Sequence, residues 1–501
     1  MIRKVLIANR GEIALRVIRA CRTAGIGTVA VYSDADAAAP HVHAADTAVR
    51  IGPPPAAESY LDVGALIDAA RRTGADAVHP GYGFLSERAH FAKAVEDAGL
   101  IFIGPTADSI TRLGSKTGAR RLMEAAGVPV VPGAAPEDQS DEALTAAATA
   151  LGVPLLVKPA SGGGGIGMKT VRHLDDLATA LPQARREAQA AFGNPRLYLE
   201  RLVERPRHIE VQIFADAAGE TVHLFERECS AQRRHQKVVE ETPSPAVTPA
   251  VRARIGAAAV TAARTVGYRN AGTVEFLLDG DGDDARFYFL EINTRLQVEH
   301  PITECVVGVD LVRAQLAVAG GAPLPWRQAD LTQRGHALEC RIYAEDPAQG
   351  FLPQAGPLLR YREPQGPGIR VDSGVVEGGT VSVYYDPMLA KLITWGETRT
   401  ESLARAREAL SRFEILGVRT NLTFLMAILD HPAFIAGRID TGFLGRELDA
   451  LTADPAGVSP AIAAAAAFHA SRGPAAGVVS SGAATSTASA DPFDTLRGWR
   501  G

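Results

Sequence analysis

The stretch from Phe287 to Glu304 reads FYFLEINTRLQVEHPITE, and the interpretation of the whole chain starts here. Its first seven residues are rich in aromatic and branched side chains, as in a buried strand. At a period of two, Glu291 and Asn293 fall on the same face as Phe287 and Phe289. A carboxylate on an apolar face needs a compensating partner. We therefore expect this strand to form one wall of a functional site.

A second apolar strand, Gly272 to Leu278 (GTVEFLL), lies just upstream, and the polar run DGDGDDAR between the two is typical of a hairpin. In one register of this hairpin, Glu275 stands opposite Glu291. Facing carboxylates repel each other unless a cation lies between them, and carboxylate and amide oxygens suit Mg²⁺. We predict a magnesium or manganese site at Glu275, Glu291 and Asn293. An open hairpin with solvent-facing glutamates is the alternative.

The residues after the strand, Arg295, Gln297 and Glu299, alternate along their own segment up to Pro301. A cation, an amide and a carboxylate would then share one side of it. The arginine could hold a small anion there while the glutamate acts as a base. A salt-bridged loop without a ligand is the other interpretation.

The composition is that of an ordinary globular protein, because 46% of the 501 residues are hydrophobic and 22% are charged. This length predicts about three domains. A net charge of −5 provides no basic field for nucleic acid, and no run of residues resembles a membrane helix or a signal peptide. Four widely spaced cysteines, without a CxxC pair, favour a reducing compartment. We predict a cytoplasmic protein without nucleic-acid or membrane partners.

The first hundred residues predict a doubly wound α/β domain, because strands and helices alternate along them. The expected strands are residues 4–8, 28–32, 77–79 and 100–103, and the expected helices are residues 11–24 and one that ends at 98. The first turn, ANRGEI, lacks the glycine fingerprint of a dinucleotide site. His79, Tyr82 and Glu87 lie on a loop after a strand, but His79 by itself is better interpreted as a core histidine.

Two further stretches are candidates for binding phosphate. LLVKPASGGGGIGMKTV places a glycine-rich tip between two short strands, where bare N–H groups could surround phosphate oxygens and Lys158 adds a positive charge. The match to GxGxxG is weak because a strand follows, and a flexible linker is the alternative. FERECSAQRRHQKVVEETPSP is basic in its middle and acidic at both ends. A solvated charged loop is the default for it, unless it folds beside the glutamate hairpin.

Several motifs occur in one order that resembles the biotin carboxylase component of biotin-dependent carboxylases, in the ATP-grasp superfamily. They are ANRGEIALRVIRA, HPGYGFLSE, VKPASGGGGIGM, RHIEVQIFAD, ERECSAQRRHQKVVEE and EINTRLQVEHPITE. The resemblance covers roughly residues 1–445. It implies an N-terminal domain (1–113), an ATP-grasp domain (114–330) with a lid at about 131–203, a mixed C-terminal domain (331–446) and a tail (447–501). It also implies that ATP and bicarbonate give carboxyphosphate, whose breakdown delivers CO₂ to N1 of biotin.

The resemblance implies roles for single residues. ATP would be bound by Lys116, Lys158, Gly162, Gly163, Gly164, Gly165, Gly167, Met168, Glu200, Val203, His208, Gln232, His235 and Leu277. The substrate would be bound by Arg295, Gln297, Val298 and Tyr82, with Lys237 nearby and Glu299 as the base. Arg341 would stabilise the biotin enolate. Alternation from Ala337 to Tyr343 puts Glu339 and Arg341 on one face, so an exposed salt bridge is the alternative for Arg341.

Two features differ from the family pattern. Ile166 stands in the lid where many relatives have a basic residue, and no Ala-Met-Lys-Met attachment motif occurs in the sequence. We therefore expect biotin on a separate carrier protein or domain, together with a separate carboxyltransferase subunit, and the resemblance suggests a homodimer. The final acceptor, an acyl-CoA, pyruvate or a urea-like compound, is not specified. The alternatives are another ATP-grasp ligase that forms an acyl phosphate, including a urea-type carboxylase component, and a nucleotide-gated scaffold.

The region from about Leu451 is rich in Ala, Gly, Ser and Thr, a composition that buries too little apolar surface to fold alone. We predict a flexible tether with a short helix at Ala461 to Ala470. Its last residues, DPFDTLRGWRG, either dock on a partner through their apolar side chains or remain disordered.

Overall fold

The computed structural model describes residues 2–160, 167–234 and 236–453, except for the side chain of Lys116. Its strands are β1 (Lys4–Ile7), β2 (Gly27–Ser33), β3 (Thr47–Gly52), β4 (Ala77–His79), β5 (Ile101–Phe102), β6 (Gly133–Ala134), β7 (Leu155–Pro159), β8 (Lys169–Val171), β9 (Leu197–Arg201), β10 (Arg207–Ala215), β11 (Thr221–Arg233), β12 (Gln236–Thr242), β13 (Asn270–Asp279), β14 (Arg286–Asn293), β15 (His336–Tyr343), β16 (Glu345–Asp346), β17 (Leu352–Pro353), β18 (Gly356–Pro357), β19 (Arg360–Arg362), β20 (Ile369–Ser373), β21 (Thr380–Val381), β22 (Met388–Gly396) and β23 (Glu414–Leu416).

Its helices are α1 (Gly11–Thr23), α2 (Pro40–Ala44), α3 (Val63–Thr73), α4 (Ala89–Asp97), α5 (Ala107–Leu113), α6 (Lys116–Ala125), α7 (Asp141–Leu151), α8 (Leu177–Phe192), α9 (Pro249–Thr265), α10 (His300–Val307), α11 (Leu311–Ala319), α12 (Arg399–Ser411), α13 (Leu422–Asp430), α14 (Pro432–Ile435), α15 (Phe443–Arg446) and α16 (Leu448–Thr452). Within the part of the chain that the structure covers, no helix combines the length and the apolar character needed to cross a bilayer.

The N-terminal strands form a parallel sheet in the order β3-β2-β1-β4-β5, which confirms the predicted doubly wound α/β domain. Helix α1 packs on it because Val17, Ile18 and Cys21 recur at helical spacing and are buried. His79, at the end of β4, accepts a hydrogen bond from the Gly81 amide at 3.0 Å, and burial lowers its pKa to about 4. The interpretation of His79 as a core histidine therefore holds.

A smaller sheet, in the order β6-β9-β7-β8, lies within residues 131–203, the segment that the resemblance implies as the lid. Strands β7 and β8 pair antiparallel with Leu155 opposite Val171, as expected for a glycine-tipped hairpin. Helices α7 and α8 cover the sheet through side chains such as Leu144 and Leu181. The tip of the hairpin, with Gly162, Gly163, Gly164, Gly165 and Ile166, lies outside the described residues.

A large antiparallel sheet, in the order β14-β13-β10-β11-β12-β15-β22-β20, runs through the predicted ATP-grasp and C-terminal domains. Strands β12 and β15 join the two parts by pairing Val239 with Cys340. Helices α6 and α9 pack on the β10, β13 and β14 end, and helix α12 packs on the β15 and β22 end. Helix α16 extends this C-terminal core to residue 452 through the buried Leu451. The predicted tether and its helix at 461–470 lie outside the described residues.

The hairpin of β13 and β14 has the predicted register, with Glu275 directly opposite Glu291. The register then shifts, so that Phe276 faces Phe289 and β14 contains one extra residue, a β-bulge.

This bulge reverses the alternation along β14. Phe287, Phe289 and Ile292 pack into the core, whereas Glu291 and Asn293 belong to the opposite face. The prediction that the two polar residues share a face with the phenylalanines is therefore wrong, because the bulge falls between them and no residue pattern marks it.

Candidate active site

Charged side chains stand in one row across four neighbouring strands of the large sheet. Glu291 on β14 faces Glu275 on β13, which faces Glu210 on β10, which in turn faces Arg227 on β11. Glu275, Glu210 and Arg227 are all buried, so the alternative of an open, solvent-facing hairpin is wrong for Glu275. Carboxylates in such a row stay ionised only if cations lie among them.

Lys237 on β12 is the cation at the centre of this cluster. Its Nζ lies 2.5 Å from Glu210 Oε2, 2.9 Å from Glu275 Oε1 and 2.7 Å from Glu299 Oε1. Burial would lower the pKa of the lysine, but the three carboxylates outweigh burial and raise this pKa well above its ordinary value. Lys237 is therefore a fixed positive charge that holds three elements of the site together.

The neighbourhood of Lys237 corrects one prediction. The basic segment is not a solvated loop, because Thr221–Arg233 and Gln236–Thr242 are the paired strands β11 and β12 of the sheet, with Gln232 opposite Lys237. The condition for its functional role, folding beside the glutamate hairpin, is met by the contact between Lys237 and Glu275. His235 lies outside the described residues.

Glu299 lies at the start of α10 and is completely buried. Its Oε1 accepts a hydrogen bond from Lys237, and its Oε2 accepts one from Arg341 Nη2 at 2.9 Å. Burial alone would raise the pKa of this carboxyl, but Lys237 and Arg341 hold the pKa well below its ordinary value. Glu299 is thus an ionised carboxylate throughout the neutral pH range.

Arg341 occupies the face of β15 that the sequence predicts, because Leu338, Cys340 and Ile342 pack into the core on the other side. It is buried, so the alternative of an exposed salt bridge is wrong. Besides Glu299, its Nε donates to Glu240 Oε1 at 2.6 Å.

Arg295 and Gln297 form a unit beside this cluster. Arg295 Nη1 donates to Gln297 Oε1 at 2.6 Å, and Gln297 Nε2 lies 3.4 Å from Glu275 Oε1. Arg295 Nε is also 3.3 Å from Glu87 Oε2, which anchors the arginine to the N-terminal domain. Segment 294–299 is a loop, so the cation, the amide and the carboxylate converge through a turn and not through strand alternation.

Val298 and Tyr82 are connected to the site through the C-terminal domain. The Val298 carbonyl accepts a hydrogen bond from Lys391 Nζ at 2.6 Å. Lys391, which is fully buried on β22, also lies 3.3 Å from Glu12 Oε1, and the Tyr82 hydroxyl donates to Glu12. Three predicted domains therefore hold the loop that contains Val298.

The predicted metal ligands fit a divalent cation. Glu275 Oε2 lies 3.0 Å from His208 Nε2, and Asn293 Nδ2 donates to Glu275 Oε1 at 2.7 Å. Burial would raise the pKa of Glu275, but Lys237 and His208 hold it well below its ordinary value. An ionised carboxylate that faces Glu291 beside an amide side chain supplies the hard oxygen donors that Mg²⁺ prefers.

The predicted nucleotide contacts fall into two groups. On the smaller sheet, Lys158 contacts Glu200, and the Tyr198 hydroxyl donates to Glu200 Oε1 at 3.0 Å. Val203 lies just after β9, and Gly167 and Met168 lie just before β8. On the large sheet, His208 stands opposite Leu277. Nothing is described of the Lys116 side chain.

Sequence reasoning missed Glu210, Arg227, Glu240 and Lys391. Glu210 had a readable signal, since in IEVQI it alternates with Ile209 and Val211, which are core residues. Arg227, Glu240 and Lys391 join the site through contacts with residues that are distant in the sequence, so the residue pattern around each of them does not indicate a role.

The family models divide the chain into three matches. Residues 1–110 match "Biotin carboxylase, N-terminal domain", residues 115–327 match "Carbamoyl-phosphate synthase L chain, ATP binding domain", and residues 339–446 match "Biotin carboxylase C-terminal domain". The biotin carboxylase of Halalkalibacterium halodurans is 50% identical over 452 residues, which are 90% of this chain and 99% of that protein. The chain belongs to the biotin carboxylase family.

Other relatives of this biotin carboxylase family member are longer. The mitochondrial methylcrotonoyl-CoA carboxylase subunit alpha of Oryza sativa subsp. japonica is 53% identical over 446 residues, and the match covers 89% of this chain and 60% of the relative. The chain therefore spans about 60% of the length of that protein.

Solved structures agree with this assignment. The biotin carboxylase domain dimer of Hydrogenobacter thermophilus 2-oxoglutarate carboxylase, in complex with MgADP, ADP and bicarbonate, is 43% identical with a TM-score of 0.85, over 91% of this chain and 99% of that one. The predicted family and mixed α/β fold class are confirmed. The roles of single residues stay predictions.

Proposed function

We propose that this chain carboxylates biotin in an ATP-dependent reaction with bicarbonate, as the first half-reaction of a biotin-dependent carboxylase. One observation supports this above all others: the ionised Glu299 is held between Lys237 and Arg341, beside the unit of Arg295 and Gln297. A small anion at Arg295 would meet a base on one side and fixed cations on two others.

Bicarbonate would bind to Arg295 and Gln297, with Lys237 offsetting its charge. Its negative charge next to Glu299 would raise the pKa of that carboxylate, because like charges disfavour ionisation. Glu299 would then accept the proton of bicarbonate more readily than in the free protein. The deprotonated anion would attack the γ-phosphorus of ATP, the bond to the bridging oxygen would break with ADP as the leaving group, and carboxyphosphate would form.

Glu275, Glu291 and Asn293 would hold Mg²⁺, which offsets charge on the ATP phosphates when it is bound. Lys158 and His208 would position the nucleotide from the two sheets. In the second step, Arg341 would face the oxygen on which the enolate charge of biotin develops, and its two carboxylate partners keep it from moving.

The partners are proposed from the relatives. Biotin would be presented by a carrier protein or domain, since the attachment motif is absent from these 501 residues, and a carboxyltransferase subunit would transfer the carboxyl group from biotin to the final acceptor. An acyl-CoA is the proposed acceptor, in keeping with the name of the rice relative. We also propose a homodimer, as in the H. thermophilus structure, and a cytoplasmic location.

Phosphate release from ATP, measured with and without bicarbonate and with and without free biotin, tests this function. We expect release to require bicarbonate and to increase with biotin. Bicarbonate-dependent release that biotin leaves unchanged would indicate a different ATP-grasp ligase. Nucleotide binding without any release would indicate a scaffold.

A further inference from the structure

Glu240 and Glu339 stand directly opposite each other where β12 pairs with β15. Both side chains are completely buried. Opposed residues on an antiparallel ladder have Cβ atoms about 4.5–5.5 Å apart, so the two carboxyl groups are within reach of each other. Neither residue belongs to the metal or bicarbonate sites proposed above.

The pair is short of hydrogen-bond donors. Across the described ranges, Oε2 of Glu240 and both oxygens of Glu339 have no hydrogen-bond partner. The nearby cations are engaged elsewhere, because Lys391 Nζ donates to the Val298 carbonyl and Arg341 donates to Glu240 Oε1 and to Glu299. Two buried carboxylates in this position cannot both be ionised at moderate cost.

Ionisable groups on several elements surround the pair. They are Arg341, Cys340 and Tyr343 on β15, Lys237 on β12, Cys229 on β11, Lys391 on β22, and Glu299 and Cys305 on α10. Burial raises the pKa of Glu240 to about 7 in spite of Arg341, and burial raises the pKa of Glu339 well above its ordinary value. Both raised pKa values agree with the position of the two carboxyl groups, which are buried and stand opposite each other.

Glu240 is also the anchor of Arg341. Its Oε1 lies 2.6 Å from Nε and 2.6 Å from Nη2 of the guanidinium, while Nη2 is 2.9 Å from Glu299 Oε2. With one negative charge on the pair, the guanidinium is balanced between Glu240 and Glu299. A second negative charge would draw it towards the pair and away from the side where biotin would react.

We propose that Glu240 and Glu339 share one proton at neutral pH and that the pair, through Glu240, positions Arg341 for the carboxylation of biotin. The positioning role rests on the proposed function. The shared proton does not, so the two can fail separately.

Thermal unfolding tests the shared proton. A carboxyl group whose pKa is raised by folding stabilises the folded protein at low pH, and this contribution is lost as the pH rises; for Glu240 the loss runs from the ordinary value of 4.5 through about 7. Glu339→Gln mimics the protonated acid and removes one such titration. We expect the melting temperature of E339Q relative to wild type to be higher at pH 8 than at pH 5 by roughly 1–3 °C. An equal difference at both pH values would overturn the shared proton.

Glu241→Gln is a matched control for this measurement, and infrared difference spectra provide a second measurement of the shared proton. Glu241 is the next residue on β12, but it is ion-paired with Arg399 at 2.5 Å, so Glu241→Gln should not show the same pH trend. In infrared difference spectra at pH 7, wild type minus E339Q should show the C=O band of a protonated carboxyl, and wild type minus E241Q should not. Absence of the band for E339Q would overturn the shared proton even if a variant is poorly stable.

The positioning role is tested by the ratio of carboxybiotin formed to ATP cleaved. Glu240→Gln should lower this ratio at least about tenfold, as expected when a hydrogen bond between charged groups is weakened, while E241Q leaves it unchanged. The ratio for wild type should fall at alkaline pH, and that of E339Q should fall less. Equal losses of both activities in E240Q would overturn the positioning role. No bicarbonate-dependent ATP cleavage in wild type would overturn the proposed function alone.

Discussion

Two pairs of glutamates face each other across antiparallel ladders of the same sheet, and they are in opposite electrostatic states. Glu275, opposite Glu291, has Lys237, Asn293 and His208 around it, and its pKa is held low. Glu240, opposite Glu339, is ion-paired with Arg341, which is shared with Glu299, and burial raises the pKa of Glu240 to about 7. Register is therefore not enough to identify a metal site. The donors that surround a carboxyl pair decide whether it is ionised or shares a proton.

Glu299 lies between the two pairs, because it contacts Lys237 on one side and Arg341 on the other. The largest effect is expected there. Glu299→Gln keeps the shape and removes the base, so bicarbonate-dependent turnover should fall by roughly 10²–10⁴ while ATP binding persists. Steady-state phosphate release and ATP titration measure the two quantities. Turnover like that of wild type would leave Glu299 as a structural residue.

Substitution of Arg341 distinguishes the role of the pair of Glu240 and Glu339 from that of the pair of Glu275 and Glu291. Arg341→Ala should reduce carboxybiotin formation by about 10²-fold and ATP cleavage much less, since the lost cation acts on charge that develops on biotin. Both products should be measured in one reaction. Arg399→Ala, which removes the partner of Glu241, is the control and should leave their ratio unchanged. If the two activities of R341A fall together, Arg341 serves the nucleotide site or the fold.

The pair on β13 and β14 should respond to metal. Glu291→Gln removes a ligand charge and should raise the Mg²⁺ concentration for half-maximal activity about tenfold or more. Asp279→Asn, in the exposed pair with Arg286 at the far end of the same hairpin, is the matched control. An unchanged Mg²⁺ titration in E291Q would exclude Glu291 as a ligand.

The last effect is on stability, and its pH dependence has the opposite sign to that of E339Q. The pKa of Glu275 is lowered by folding, so its contribution is present above pH 4.5 and is lost as the pH falls. Without metal, Glu275→Gln should cost about 2 kcal/mol at pH 7 and less at pH 4. Denaturant unfolding at the two pH values measures this. A cost that grows on acidification would contradict the ionised state of Glu275.

The residue patterns predicted the parts of the fold that alternate regularly. The N-terminal strands, the pairing of Glu275 with Glu291 and the face of β15 that contains Arg341 all followed from period and turn composition. The bulge in β14 did not, because one extra residue leaves no compositional trace. The hairpin of β11 and β12 was also missed, because a run of charged residues is typical of a solvent-exposed loop. Only the structure shows that Glu210 and Glu275 contact Lys237 in this run.

Transfer of labelled carbon from bicarbonate to free biotin by the wild-type chain tests the central claim most directly. The label should appear on biotin only when ATP and Mg²⁺ are both present, and it should be lost in E299Q. ATP cleavage without label on biotin, or label that forms without ATP, would contradict the assignment of this site to biotin carboxylation.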